Sequence, residues 1–253
     1  MTHHAGGQNI CGVSIGVLCL DSKFPKPPGH IKNPSSLPFP VIYETVQGAT
    51  VQTLLKNPTA EFIAPFIEAA KRLEAEGVRA ITGSCGFLAL FQKELAAAVN
   101  IPVFSSSLIQ VPLAYNMTGR SAPVGILTAS KSSLTQAHLD ATGIFDIPVV
   151  IKGMEGKPEF EDVILKDLRH DMDTTKVEEE VLQAAKEMLD ENPNIRSLVL
   201  ECTDMPPYAH RLQRELHLPI FDLTTLATMV HNVVLRTEYT GFMPYNDVAK
   251  RRS

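Results

Sequence analysis

The chain has 253 residues, 44% of them hydrophobic and 20% charged, which is ample for one large domain or two small ones with a sizeable core. Its net charge of −5 and the absence of a basic stripe exclude a polyanion-binding surface, and Lys250-Arg251-Arg252 reads as a solvated tail. No apolar run approaches the roughly 18 residues needed to span a bilayer, and the polar opening lacks a leader pattern, so no membrane association and a cytoplasmic location are expected.

In chain order, short runs rich in Val, Ile and Leu alternate with helical patterns. The strands are expected at 13–20, 41–45, 80–83, 103–105, 124–128, 149–152, 198–201 and 220–223. Between the second and third, residues 59–76 place Phe62, Phe66, Ala69, Ala70 and Leu73 on one helical face, and Gly77 stops the helix. A second amphipathic helix is expected over 174–189, capped by Thr174 or Thr175 before Glu178. Strands apolar throughout are those of a parallel sheet covered on both faces. Residues 21–40 break the pattern. Dense in proline, glycine and lysine, they form a long loop expected to act as a lid or wall, with His30 exposed to solvent.

An internal repeat runs through this alternation. Ala80-Ile81-Thr82-Gly83-Ser84-Cys85 and Ser197-Leu198-Val199-Leu200-Glu201-Cys202 both read as a strand ending in cysteine. Cys85 and Cys202, Leu95 and Leu212, and Pro102 and Pro219 are each 117 residues apart. Ile15-Gly16-Val17-Leu18 matches Val124-Gly125-Ile126-Leu127 at a separation of 109. The expected fold is therefore α/β with two pseudo-symmetric lobes, each a parallel sheet flanked by helices, and the active site in the cleft between them. Residues 1–116 and 219–253 form the first lobe in this reading, and 117–218 the second.

The four cysteines contain no C-x-x-C pair, so neither zinc-site spacing nor a disulfide framework is present. His3-His4 lies at a frayed terminus rather than at a metal site. Cys11 is uninformative and Cys19 reads as a small buried hydrophobe. Cys85 and Cys202 differ, because ligands of open α/β sheets bind beyond the carboxyl ends of strands. A thiol there, at a helix N-terminus, is expected to have its usual pKa of about 8.5 lowered. Two such thiols on opposite walls suit inversion at an acidic carbon. One takes the proton from one face and the other returns a proton to the opposite face. General acid–base catalysis supplies roughly 10²–10⁴-fold, so amides and hydroxyls must stabilise the developing carbanion. No phosphate loop or H-E-x-x-H is present, and neither cofactor nor metal is expected.

At these residues the sequence resembles the aspartate/glutamate racemase superfamily, including hydantoin racemases, over nearly its whole length. Glu201-Cys202-Thr203-Asp204-Met205-Pro206 is similar to that family's Gly-Cys-Thr-(His or Glu) motif. The resemblance implies that Cys85 and Cys202 are the catalytic pair of a cofactor-independent amino-acid racemase or epimerase acting on a small carboxylate. It further implies that Asp21, Ser22, Thr128, Thr203 and Asp204 line the substrate pocket, to which the residues around Cys85 add Ser84, Gly86 and Phe87. Relatives carry Cys-Asn-Thr in the first half, whereas this chain has Cys85-Gly86-Phe87, leaving backbone N–H groups, Ser84 and Ser105 to Ser107 to hold a carboxylate. Phe87 would then add an apolar wall. Glu201 would raise the pKa of Cys202 if it entered the cleft, leaving Cys85 as resting base; directed at a basic partner, it would not.

Two other readings stay open. One is a single-cysteine reaction on the same scaffold, such as malonate decarboxylation or maleate isomerisation. The other is a non-catalytic small-molecule binder. The sequence does not fix whether the chain is a homo-oligomer.

Overall fold

The structure is a computed structural model that describes residues 3, 6–56 and 59–243, the side chains of residues 56 and 60 excepted. His4 and the Lys250-Arg251-Arg252 tail lie outside the described residues.

The first lobe runs through β1 (Ile15–Leu20), β2 (Val41–Val46), α1 (Val51–Lys56), α2 (Ala60–Ala75), β3 (Ala80–Gly83), α3 (Gln92–Ala97) and β4 (Val103–Phe104). After α4 (Val111–Met117) comes the second series. It comprises β5 (Val124–Leu127), α5 (Gln136–Ala141), β6 (Val149–Lys152), α6 (Pro158–Phe160), α7 (Thr174–Glu191), β7 (Leu198–Leu200), α8 (Ala209–Leu216), β8 (Ile220–Phe221) and α9 (Leu223–Val234). The strands form two four-stranded parallel sheets of identical order, β2-β1-β3-β4 and β6-β5-β7-β8. Register preserves the repeat: Gly16 pairs with Ile81 as Gly125 pairs with Leu198, and Ile81 with Val103 as Leu198 with Ile220.

Physical reasons for the layout are local. β1, β3, β5 and β7 are buried at every residue, as central strands must be, while β6 at an edge is only half-buried. Helix α2 turns Phe66, Ala69, Ala70 and Leu73 into the core, Thr59 caps its start, and Gly77 ends it at φ +85°. Helix α7 is capped by Asp173, not by Thr174 or Thr175. The Asp173 carboxylate accepts from the N–H groups of Thr175 and Lys176 at 3.1 and 3.2 Å. Asp173→Ala is expected to cost about 1 kcal/mol and to lower Tm by roughly 2–4 °C, which a thermal melt would register.

One boundary is corrected. β8 pairs with β7, so residues 220 and 221 belong to the second sheet, and the return to the first lobe starts with α9. Leu223, Leu226 and Ala227 of α9 cluster with Ile15, Val17, Ala80 and Phe104 on one face of the first sheet. Residues 21–40 contain no helix or strand, yet the loop buries Phe24, His30, Ile31 and Leu37, with Ile31 and Leu37 packed in one cluster with Ile15, Val17 and Phe104. Among the described residues no helix is long and apolar enough to cross a membrane.

Candidate active site

Both cysteines sit just past the carboxyl end of a central strand. After β3 the chain passes Ser84 and Cys85 into a 3-10 turn, Gly86–Phe91. After β7 it passes Glu201 to Met205 into the 3-10 turn Pro206–Tyr208. The two loops touch. Thr203 Oγ1 donates to the Ser84 carbonyl at 2.6 Å, and Gly86 lies so close to Glu201 that a Cβ there would collide with the Glu201 carbonyl and Oε1. The tertiary structure thus brings the two halves of the repeat together, with Cys85 8% and Cys202 7% exposed.

Cys202 heads a polar chain. Its thiol donates to Asp204 Oδ2 at 3.5 Å, and Asp204 Oδ1 faces His30 Nε2 at 3.0 Å. His30 Nδ1 accepts from the Lys32 N–H at 2.8 Å, so the ring proton sits on Nε2 and is donated to Asp204. Burial would raise the Asp204 pKa, but His30 and, more weakly, Lys26 outweigh it and hold the carboxyl below its ordinary range. His30 was expected in solvent; it is 1% exposed. The loop seats Gly29 against Pro207 of the second lobe and orders itself through Ser36, whose hydroxyl accepts from Gly29 N and donates to the His30 carbonyl. Lys26 is half-buried on the same loop, and burial lowers its pKa to about 8.

Cys85 has different company. The Phe87 N–H faces its sulfur, while the Phe87 ring packs edge-on to His138 of α5, centroids 5.6 Å apart. Glu201 lies between the two loops without a basic partner. Its Oε2 accepts from Thr128 Oγ1 at 2.7 Å, and the Ala129 N–H faces the carboxyl. Its Oε1 is buried with no hydrogen-bond partner. Burial, with help from Asp204, pushes the Glu201 pKa up to about 7.

The electrostatic expectation is therefore reversed. Both thiol pKa values are raised: Cys85 by burial and then Glu201, Cys202 by burial, then Asp204 and Glu201. Neither is a resting thiolate. One N–H group per sulfur is outweighed by desolvation and two nearby carboxyls.

Other residues expected in the pocket are engaged within the protein. Ser84 Oγ accepts from the Leu20 N–H at 2.9 Å, Ser105 Oγ donates to Gln92, and Ser107 Oγ donates to the Leu200 carbonyl. Asp21 pairs with Lys23 and accepts from the Gly48 N–H, and Ser22 accepts from Lys32; these contacts hold the start of the loop. Thr128 and Thr203 are spent as described. Among the described residues, Oε1 of Glu201 and the buried Tyr208 hydroxyl lack a partner, as does Ser197 Oγ just before β7. Tyr208 and His30 carry no motif that marks them, whereas Glu201 was visible as a carboxylate beside a thiol.

The fold is a duplicated α/β scaffold with one thiol per half where the two loops meet. The Asp/Glu/hydantoin racemase family model matches residues 111–230, and the chain belongs to this superfamily. In sequence it is 30% identical over 221 residues to a dimethylsulfoniopropionate lyase from Durusdinium sp. clade D, covering 85% of this chain and 72% of that one. It is 32% identical over 225 residues to dimethylsulfoniopropionate lyase 7 from Emiliania huxleyi (strain CCMP1516), covering 84% of this chain and 64% of the relative. The same fold occurs in allantoin racemase from Klebsiella pneumoniae, with TM-score 0.60 and 16% identity over 93% of this chain and 98% of that one. Arylmalonate decarboxylase shares it with TM-score 0.56 and 11% identity over 92% of this chain and 96% of that one.

Proposed function

We propose that the chain is a lyase that removes the proton α to a carboxylate and expels a β-sulfonium group, with Cys202 as base and dimethylsulfoniopropionate as substrate. The names of the sequence relatives suggest the substrate. The observation that carries the mechanism is the pair of carboxyls beside Cys202, the partly buried Asp204 and the buried Glu201.

The Asp204 carboxylate opposes thiolate formation until a positive charge enters, and Glu201 adds to this once it ionises. A sulfonium about 5 Å from the sulfur, at an effective dielectric near 20, contributes about 3 kcal/mol, or about two pKa units in favour of the thiolate. The cationic substrate thereby helps to generate its own base, and the displaced thiol proton leaves to solvent. A dicarboxylate such as aspartate or glutamate brings a further negative charge and works against it. The thiolate then takes the α-proton, the C–H electron pair forms the α,β double bond, and the C–S pair departs with neutral dimethyl sulfide, leaving acrylate. One base suffices for this reaction. That suits a site in which Cys202 has the Asp204–His30 chain and Cys85 has no counterpart.

Racemisation by both thiols is the second reading, favoured by their equivalent positions in the repeat. Incubation with dimethylsulfoniopropionate is expected to release dimethyl sulfide, measured by gas chromatography, in equal amount to acrylate. No release from folded protein, together with α-hydrogen exchange on an amino acid that requires both Cys85 and Cys202, would replace elimination by racemisation.

A further inference from the structure

The Glu201 carboxyl, where the two thiol loops meet, is buried, titratable, and among the described residues satisfied at only one of its two oxygens. Oε2 accepts from Thr128 Oγ1 at 2.7 Å, which makes it the acceptor end. Oε1 lies against Gly86, next to Cys85, and finds no protein partner among the described residues. A side chain at 86 would fill this space. Glycine instead lets the carboxyl reach across from the second lobe into the loop of the first thiol.

We propose that Glu201 is a further catalytic residue, which holds its proton on Oε1 and donates it in a hydrogen bond to the substrate carboxylate as negative charge develops there. The inference rests on the proposed deprotonation α to a carboxylate, and it assigns the group that receives that carboxylate. The physical logic is that of an acid kept neutral by an apolar site so that it can donate. Such a donor is worth most where water is excluded and the charge is transient. An ionised Glu201 would repel the same oxygen. Its neutrality below pH 7 is supported by burial and by its surroundings. The titratable groups facing it are Cys85 from the β3 loop and Cys202 and Asp204 from its own, of which only Asp204 is ionised, and Thr128 from the β5 end is uncharged. Burial puts its pKa at about 7.

The test uses the whole chain, with acrylate as binding probe and dimethylsulfoniopropionate as substrate. Calorimetric affinity of the wild type for acrylate is expected to fall about tenfold per pH unit above pH 7 as the donor is lost. Glu201→Gln keeps an N–H donor at the Oε1 position and an acceptor for Thr128, so its affinity should be flat from pH 6 to 9. Glu201→Met, similar in length without a donor, should bind acrylate at least tenfold more weakly at pH 6.5. Should it fail to fold, the pH profiles of wild type and Glu201→Gln decide alone. Acrylate binding by the wild type that is independent of pH, a Glu201→Gln profile that retains the wild-type limb, or no acrylate binding at all would overturn the proposal. Dimethyl sulfide release is read separately. Its absence beside a pH-dependent acrylate affinity would sink the lyase reading while leaving Glu201 as the carboxylate donor.

Discussion

Cys202→Ala should reduce dimethyl sulfide release by about 10²–10⁴-fold, the range lost when a positioned general base is removed, while the melting temperature changes little. Alanine fits the small volume of cysteine, and the Thr203–Ser84 hydrogen bond that ties the two loops does not involve the sulfur. What disappears is the proposed base at the head of the Asp204–His30 chain. The companion variant, Cys85→Ser, separates mechanisms. Elimination needs one base, so Cys85→Ser should lose less than about tenfold, whereas a two-base racemisation would make the two losses comparable. Equal and severe losses in both variants, at unchanged fold, would contradict the single-base assignment.

His30→Leu carries the largest expected cost in stability. The pair joins a histidine ring 2% exposed to a carboxylate 11% exposed at 3.0 Å. Removing one partner of a buried pair leaves an uncompensated charge at a cost of about 3–5 kcal/mol, a fall in Tm of roughly 10 °C in a chain of this size. The pH dependence gives the sign. The folded pKa of Asp204 lies below its ordinary value of 3.8. Its contribution to stability is therefore present above that value and is lost as pH falls through the lowered one. In the leucine variant the principal lowering influence is gone and burial raises the pKa instead, so protonation relieves the buried charge. The gap in Tm between variant and wild type is expected to narrow as pH is lowered from 7 toward 4. A gap that is constant with pH would mean that the ring acts by packing alone.

How far the chain could be read without coordinates depended on the range of the forces involved. Each of the eight strands was legible, because burial on both faces writes an uninterrupted apolar run into a short stretch of sequence. The duplication was legible too, since Cys85 and Cys202 keep the same distance to Pro102 and Pro219 as the sheet registers later require. Even small misreadings were local. Asp173 caps α7 one residue before the expected Thr174, and β8 stays with the second sheet because its backbone pairs with β7.

The site itself was legible as a pair of thiols and no further. Its electrostatics come from residues distant in the chain. His30 meets Asp204 only because a loop with no periodic pattern folds back on itself and lays Gly29 on Pro207. Thr128, expected to face a substrate, is taken by Glu201, and Gly86 is glycine because that carboxyl crosses from the other lobe. Sequence by itself determined the strands, the repeat and the two sulfurs, all encoded by neighbours in the chain. The protonation states of those sulfurs, the partner of His30 and the free oxygen of Glu201 were decided by tertiary structure, because desolvation and charge pairing depend on what surrounds a group in space.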